Sequence, residues 1–211
     1  AFLNAPCILR GGLLAPGPGA TAWVGVSRGV SISDDDDFTL IDGVDINCLR
    51  APGTPSNSYG IDAGDGVSPV RGLVIRNTRT RGIANSLQAA FRGRILNDLT
   101  YADNFIRTSV VTGTNDVSVA GERLFLRRNR NDGGVWSVSD SGSSSAYGEV
   151  MHNKIATLTS TFTTRSNWRA DINEAIVRRR RGATSVADGG TIAHGLSSTP
   201  GYFQATATQS P

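Results

Sequence analysis

The sequence predicts an all-β chain, and three observations point to a solenoid of short strands. First, short apolar segments recur between residues 73 and 162, each stopped by a polar turn. They are Gly72-Leu73-Val74-Ile75-Arg76-Asn77, Gly93-Arg94-Ile95-Leu96-Asn97-Asp98, Arg123-Leu124-Phe125-Leu126-Arg127-Arg128-Asn129 and Gly148-Glu149-Val150-Met151-His152-Asn153. Their closing asparagines are spaced by about 20, 32 and 24 residues, the range in which repeat architectures are sought. Second, helix-building chemistry is scarce. Lys154 is the only lysine, and Glu122, Glu149 and Glu174 are the only glutamates, whereas surface helices draw heavily on both types. Third, Gly, Ser, Thr, Asn and Asp are abundant, and these supply turns and strand faces.

Taken in order, residues 1–20 read as an arm broken by Pro6, Gly11-Gly12 and the Pro16 to Gly19 run, with no periodicity. Strand signals begin at Ala22 to Val26 and continue at Gly29 to Ser33, where period-two alternation predicts a half-buried strand. Asp34 to Asp37 follow, then Phe38 to Ile41 and Val44 to Cys48. Four adjacent aspartates could hold a hard cation, but successive strand residues point to opposite faces, so a solvated turn is the reading taken. Residues 50–70 read as a long loop carrying Asp62 and Asp65, and loops of that length are often functional.

Arg76 to Arg81 alternates without burying an apolar residue and is expected outside, on an exposed strand. Ser86 to Phe91 is the most helix-permissive piece of the middle. Strand signals resume at Phe105-Ile106, Ser109 to Val111, Val117 to Val119 and Val135 to Val138, with a polar loop over Ser139 to Ser145. The last are Lys154 to Thr159 and Thr161 to Thr163. Asp171-Ile172-Asn173-Glu174 has capping-box spacing and could open a short helix. Arg178 to Arg181 would follow as a solvated junction or a phosphate or glycan clamp.

Net charge is +3, unevenly placed. Residues 1–70 hold three Arg and eight Asp; residues 71–130 hold eleven Arg against three Asp and one Glu. A basic middle suits anionic partners. The simpler reading is that the acidic and basic parts satisfy each other, within or between chains. Cys7 and Cys48 could form one bridge or serve as two small apolar residues, the second reading being preferred. No apolar run is long enough to span a membrane. With no start methionine and no signal-peptide pattern, the chain reads as a processed or excised piece.

The final segment runs Val186-Ala187-Asp188-Gly189-Gly190-Thr191-Ile192-Ala193-His194-Gly195-Leu196-Ser197-Ser198-Thr199-Pro200-Gly201-Tyr202-Phe203 and on to Thr208. It reads as a strand, a Gly-rich turn and a second strand. The pattern Asp-Gly-Gly-Thr-Ile-x-His-Gly-Leu-x-x-Thr-Pro resembles the C-terminal module of phage tail-fibre and tailspike-type proteins. The upstream segments resemble the right-handed parallel β-helix of those proteins and of polysaccharide lyases. The resemblance implies a virion or extracellular homotrimer for host attachment, with β-helices side by side and a β-sandwich or hairpin trimerisation module. Open solenoid ends independently favour association. The implied organisation is an N-terminal arm over 1–21, a β-helix-like domain over 22–169, a linker or short helix over 170–182 and a C-terminal β module over 183–211. In a trimer His194 could line a threefold axis, but a packed histidine is the reading taken, and no metal or cofactor is expected.

Function is then expected to be structural or adhesive, a trimeric spike or fibre segment that could bind a cell-surface polysaccharide. The alternative is a polysaccharide-cleaving enzyme. Hydrolysis needs two carboxylates flanking a glycosidic bond, and Asp98, Asp103, Glu122 and Asp132 are the candidates. Lyase chemistry would lean on a basic residue, with Arg94, Arg123 and Arg127 available. A third reading is a polyanion-binding module using Arg76, Arg79, Arg81, Arg94 and Arg127, with Trp136 and Tyr101 as stacking platforms. At 7% aromatic residues a stacking array is not evident, and nucleic acid is not the expected partner.

Overall fold

A computed structural model describes residues 2–3, 7–15, 27–32, 38–48, 58–82, 89–107, 115–131 and 134–170. All lie in the first of two compact units, Ala1–Arg178; the second is Arg179–Pro211. The aspartate run at 34–37, Asp132, the capping box at 171–174, the arginine run at 178–181, His194 and the expected C-terminal module lie outside the described residues.

Among the described residues the fold is all-β, and every strand pairing is parallel. No α-helix occurs among them; Arg165–Asn167 is a single 3-10 turn. The chain visits three parallel ladders in the same order on successive passes. The first takes Phe2–Leu3, Ser27–Ile32, Ser58–Ala63, the opening halves of Ala89–Ala102 and Val117–Arg127, then Val135–Asp140 and Thr157–Thr161. The second takes Ile8–Arg10, Leu40–Asp42, Val74–Arg76, the closing halves of the two long strands, Gly148–Met151 and Trp168–Ala170. The third takes Leu13–Leu14, Asp45–Cys48, Arg79–Gly82 and Phe105–Arg107, and continues through bridges at Arg130 and Lys154.

Side chains alternate across each strand, and register turns that alternation into apolar columns. In the first ladder Val30, Ile61, Phe91, Val117, Trp136 and Leu158 stand one above another. In the second, Leu9, Ile41, Ile75, Tyr101, Leu126 and Val150 do the same. All but Leu9 and Leu158 are fully buried, and those two pack against the core. Phe91 stacks on Tyr101 with centroids 5.0 Å apart, and Tyr101 meets Trp136 edge-on at 6.0 Å. Offset and edge-on rings are the favoured arrangements.

The corners between ladders are fixed by left-handed residues. Phe38, Gly72, Asp98 and Arg123 hold φ between 47° and 64° before the second ladder. Gly43, Asn77, Asp103, Arg128 and His152 hold φ between 53° and 69° after it. Corner amides bond to the next pass: Phe38 N–H donates to Arg71 O, Gly43 N–H to Arg76 O, Gly72 N–H to Asn97 O, Asn77 N–H to Ala102 O, Asp103 N–H to Arg127 O and Arg128 N–H to Met151 O. Backbone pairing therefore runs round the bend, as buried backbone groups require.

Directly after the second corner lies a buried polar column, Thr78, Asn104, Asn129 and Asn153. Thr78 N–H and Oγ1–H both donate to Asn104 Oδ1, at 3.0 and 2.8 Å. Asn104 donates from N–H and Nδ2 to Asn129 Oδ1, and Asn129 donates likewise to Asn153 Oδ1. The second Nδ2 hydrogens reach Ile75 O, Tyr101 O and Leu126 O. The steps along this column are 26, 25 and 24 residues. Asn129 and Asn153 were visible as segment-closing asparagines; Asn77 and Asn97 are not members, and Thr78 and Asn104 take those passes.

Four local expectations change. Residues 2–14, read as an arm, contribute strands to all three ladders. The 50–70 stretch, read as a loop, contains the strand Ser58–Ala63. Ala89 to Phe91, read as helix-permissive, opens a fourteen-residue strand. Thr78 and Thr80, expected outside, are buried, because their hydroxyl-bearing side chains alternate inward against outward Arg79 and Arg81. Cys7 is a free thiol, and the side chain of Cys48 lies outside the described ones.

Candidate functional site

The outward face is held by ion pairs between passes, and these decide which charges are already occupied. Arg76 reaches Asp42 at 3.0 Å and Arg81 reaches Asp45 at 2.7 Å. Arg92 grips Asp62 through Nε and Nη2, both at 2.7 Å, while its guanidinium lies 3.6 Å over the Tyr59 ring. Arg94 also approaches Asp62, at 3.8 Å. Arg127 reaches Glu149 at 2.6 Å. Carboxylates from the acidic first third thus pair with arginines of the basic middle, one pass later. Asp62 is a buried strand residue, and the Asp65 carboxylate accepts from the Val67 N–H within its own turn.

The expected acid–base candidates sit in the same scheme. Asp98 and Asp103 occupy the two left-handed corners on either side of Leu99 to Ala102, the closing half of the long strand, so they lie at opposite ends of that half. Arg123 takes Asp98 through two nitrogens, and Arg128 takes Asp103 at 2.8 and 2.7 Å. The bonds from Arg123 hold the Asp98 carboxyl below the ordinary carboxylate range, and those from Arg128 do the same for Asp103. Glu122 lies 3.7 Å from Arg123 and accepts from Ser141 Oγ at 3.2 Å. Asp98 and Glu122 therefore share one arginine. Glycoside hydrolysis by the two-carboxylate route needs one member held protonated; Asp98 and Asp103 are shifted the other way.

Two aromatic candidates are corrected. Trp136 and Tyr101 were expected as surface stacking platforms, but both are fully buried in the core columns. Burial also pushes the Tyr101 hydroxyl pKa up, with the Asp116 charge adding to it. Neither ring can meet a ligand without opening the interior.

What the register does gather is a basic cleft on the third ladder. Arg79 stands beside Phe105 and Arg81 beside Arg107 on adjacent passes. These four residues line a cleft of about 350 Å³. Alternation points Thr80 and Ile106 inward, leaving Arg79, Arg81, Phe105 and Arg107 outward. Asp45, one pass below Arg79, is the neighbouring carboxylate, and Arg81 already neutralises it. Arg79 and Arg107 are exposed and make no ion pair with the described residues. One pass above, Arg130 pairs with Phe105 and lies over its ring at 5.7 Å.

Sequence reasoning had found Arg79 and Arg81 from their alternation. It missed Phe105 and Arg107, whose signal is a second outward pair, Phe105-x-Arg107, one repeat after Arg79-x-Arg81. Among the described residues no group of three or more His, Cys, Asp or Glu gathers to hold a metal, and no helix is long and apolar enough to cross a membrane. Compared with protein-family models, curated proteins and solved structures, the chain matches none.

Proposed function

We propose that this chain is a non-catalytic, adhesive segment of a viral fibre or spike, built on a right-handed parallel β-solenoid and working as a homotrimer. The observation that carries the solenoid is the strict return of the chain to three parallel ladders, with steps of 26, 25 and 24 residues along one buried column. A stack of this kind resists pulling along its axis through many parallel backbone bonds, which suits a fibre. The viral assignment rests on the likeness of Asp188 to Pro200 to the tail-fibre end module.

Self-association has support on the second ladder. Its outward column runs Ile8, Leu40, Val74, Thr100 and Phe125. Ile8 is 67% exposed, and Phe38 at the neighbouring corner is 75% exposed. The column continues to Glu149 and Arg169 and is flanked by the charged pair of Asp42 and Arg76, so the apolar part is a patch centred on Ile8, Leu40 and Val74. An exposed apolar patch rimmed by polar residues is the kind of surface that associating proteins cover.

Light scattering across a dilution series tests the reading. The expected mass is three times 22.2 kDa, shifting to monomer in Leu40→Glu and Val74→Glu. A monomer at every concentration overturns the trimer. Incubation with acidic polysaccharides should leave their length unchanged; depolymerisation would favour the cleaving alternative and direct mutation to Asp98 and Glu122.

A further inference from the structure

We propose that the cleft formed by Arg79, Arg81, Phe105 and Arg107 is a binding subsite for an acidic saccharide. The anion is a uronate carboxylate or a sugar sulfate, and it is held by Arg79 and Arg107. The site deepens the adhesive reading above and rests on it for the choice of a sugar.

Three observations converge on this face. Most arginines on the outward surface of the ladders are already spent on carboxylates one pass away, including Arg76, Arg92, Arg123 and Arg128. Arg79 and Arg107 are exposed, diagonal to one another, and carry no such partner among the described residues. Among the described residues they set, with Arg81, three positive charges against the Asp45 carboxylate, which Arg81 already pairs. Guanidinium forks bind planar carboxylates and sulfate-like groups through two parallel hydrogen bonds, which makes arginine the fitting residue here.

Phe105 supplies the second element. It is half-buried between Arg79 below and Arg130 above, and it lines the cleft. A pyranose has an apolar C–H face that loses water against such a ring while its acid group reaches an arginine. The cleft volume of about 350 Å³ lies at the small end of ligand sites, the size for one or two sugar units rather than a long groove. Single-stranded nucleic acid is the weaker fit. It is bound on a series of aromatic platforms, and this cleft has one.

Titration calorimetry on the full chain tests the site, with hexagalacturonate, a sulfated dextran oligomer, neutral maltohexaose and oligo-dT as probes. The expected result is binding to at least one acidic sugar and none to maltohexaose. Arg79→Glu and Arg107→Glu should each weaken it about tenfold or more, and raising salt from about 50 to 200 mM should weaken it too. Arg169→Glu, an exposed arginine on the second ladder, makes the same charge change away from the cleft and should alter affinity less than about twofold. Phe105→Ala should weaken the sugar and leave the salt dependence intact. Far-UV circular dichroism and scattering mass identify any variant that misfolds, and Arg79→Gln and Arg107→Gln then replace it. Equal loss in Arg169→Glu, or binding unchanged in both cleft variants, overturns the site. Tighter binding of oligo-dT than of every sugar, lost in Phe105→Ala, reassigns the cleft to nucleic acid and overturns the saccharide. A monomer that binds through Arg79 sinks the fibre reading and leaves the subsite standing; a trimer that binds no probe does the reverse.

Discussion

Asn129 and Asn153 are joined twice: the backbone N–H and the Nδ2 of Asn129 both donate to Asn153 Oδ1, at 3.0 and 2.9 Å. Asn129 also closes Tyr101 O and accepts from Asn104, so one side chain serves three passes. Every hydrogen-bonding position of this buried amide is matched. Asn129→Ala strands the Asn104 donors and the Tyr101 carbonyl, and a buried group left unmatched costs about 1–3 kcal/mol. The expected loss is about 3 kcal/mol or more by urea unfolding. Asn129→Asp should be worse, since it aims a carboxylate oxygen at Asn153 Oδ1 and Tyr101 O. An Asn129→Ala variant as stable as the parent would remove the column from any account of the fold.

Gly121 pairs with Leu96 where the long strands shift register between Gly93 and Leu96. A Cβ at Gly121 would fall on the Leu96 carbonyl oxygen and within 2.6 Å of the Leu96 nitrogen. Both are backbone atoms, and neither can step aside as a flexible side chain would. Gly121→Ala is therefore expected to cost more than about 3 kcal/mol, beyond ordinary overpacking. Gly142→Ala serves as the control. Its Cβ meets nothing within 4 Å, so only the left-handed backbone at φ 80° opposes it, worth about 1 kcal/mol. Equal soluble yield and melting temperature for the two variants would contradict the crowding argument.

The strands at Val117 to Val119 and Val135 to Val138 were legible because alternation is a local signal. The strand Ser58–Ala63 was not, because Gly60 and Asp62 imitate a turn. Gly60 is there for closeness: its Cβ would lie 2.5 Å from Ala90 O and 2.9 Å from Thr80 Cγ2. Asp62 is tolerated in a buried strand because Arg92, 30 residues later, neutralises it. Ala90 and Arg92 live on the next pass and Thr80 on another ladder of the same one, and no local window contains them. The same holds for the candidate site. Arg79 and Arg81 stood out alone, while Phe105 and Arg107 join them only through register. Trp136 and Tyr101 were misplaced for a related reason, since composition does not say which side of a strand an aromatic ring occupies.

Arg92 tests how much the ion pairs contribute. Its partner Asp62 is 3% exposed, whereas Asp98, held by Arg123, is 51% exposed. Removing one member of a buried pair leaves a desolvated charge. Arg92→Ala is expected to lose about 2–4 kcal/mol, with the remaining Arg94 contact limiting the damage. Arg123→Ala should lose less than about 1 kcal/mol, since water replaces the guanidinium. Equal destabilisation of the two, measured by denaturant midpoint, would show that burial does not set the strength of these pairs.

The carboxyls of Asp42, Asp98 and Asp103 are all held below their ordinary value of 3.8. Asp42 is bonded first by Asn77 and then by Arg76, Asp98 by Arg123 and Asp103 by Arg128. A carboxyl lowered in the folded state binds fewer protons there than in the unfolded chain, so stability rises with pH through the window between the two pKa values. Their contribution is present above the unfolded value and is lost as pH falls through the folded one. The melting temperature should therefore be flat above about pH 5 and fall as the solution is acidified from about pH 4 toward pH 2. All three groups are solvent-accessible, so screening limits each contribution and the fall should shrink in high salt. Asp98→Asn with Asp103→Asn should flatten the acid limb while lowering stability slightly at neutral pH. A double variant that keeps the full acid slope would assign that slope to other carboxyls, with Asp140 next to test. There, desolvation works to raise the pKa and is outweighed by the N–H groups of Thr163 and Gly142 and the Thr163 hydroxyl.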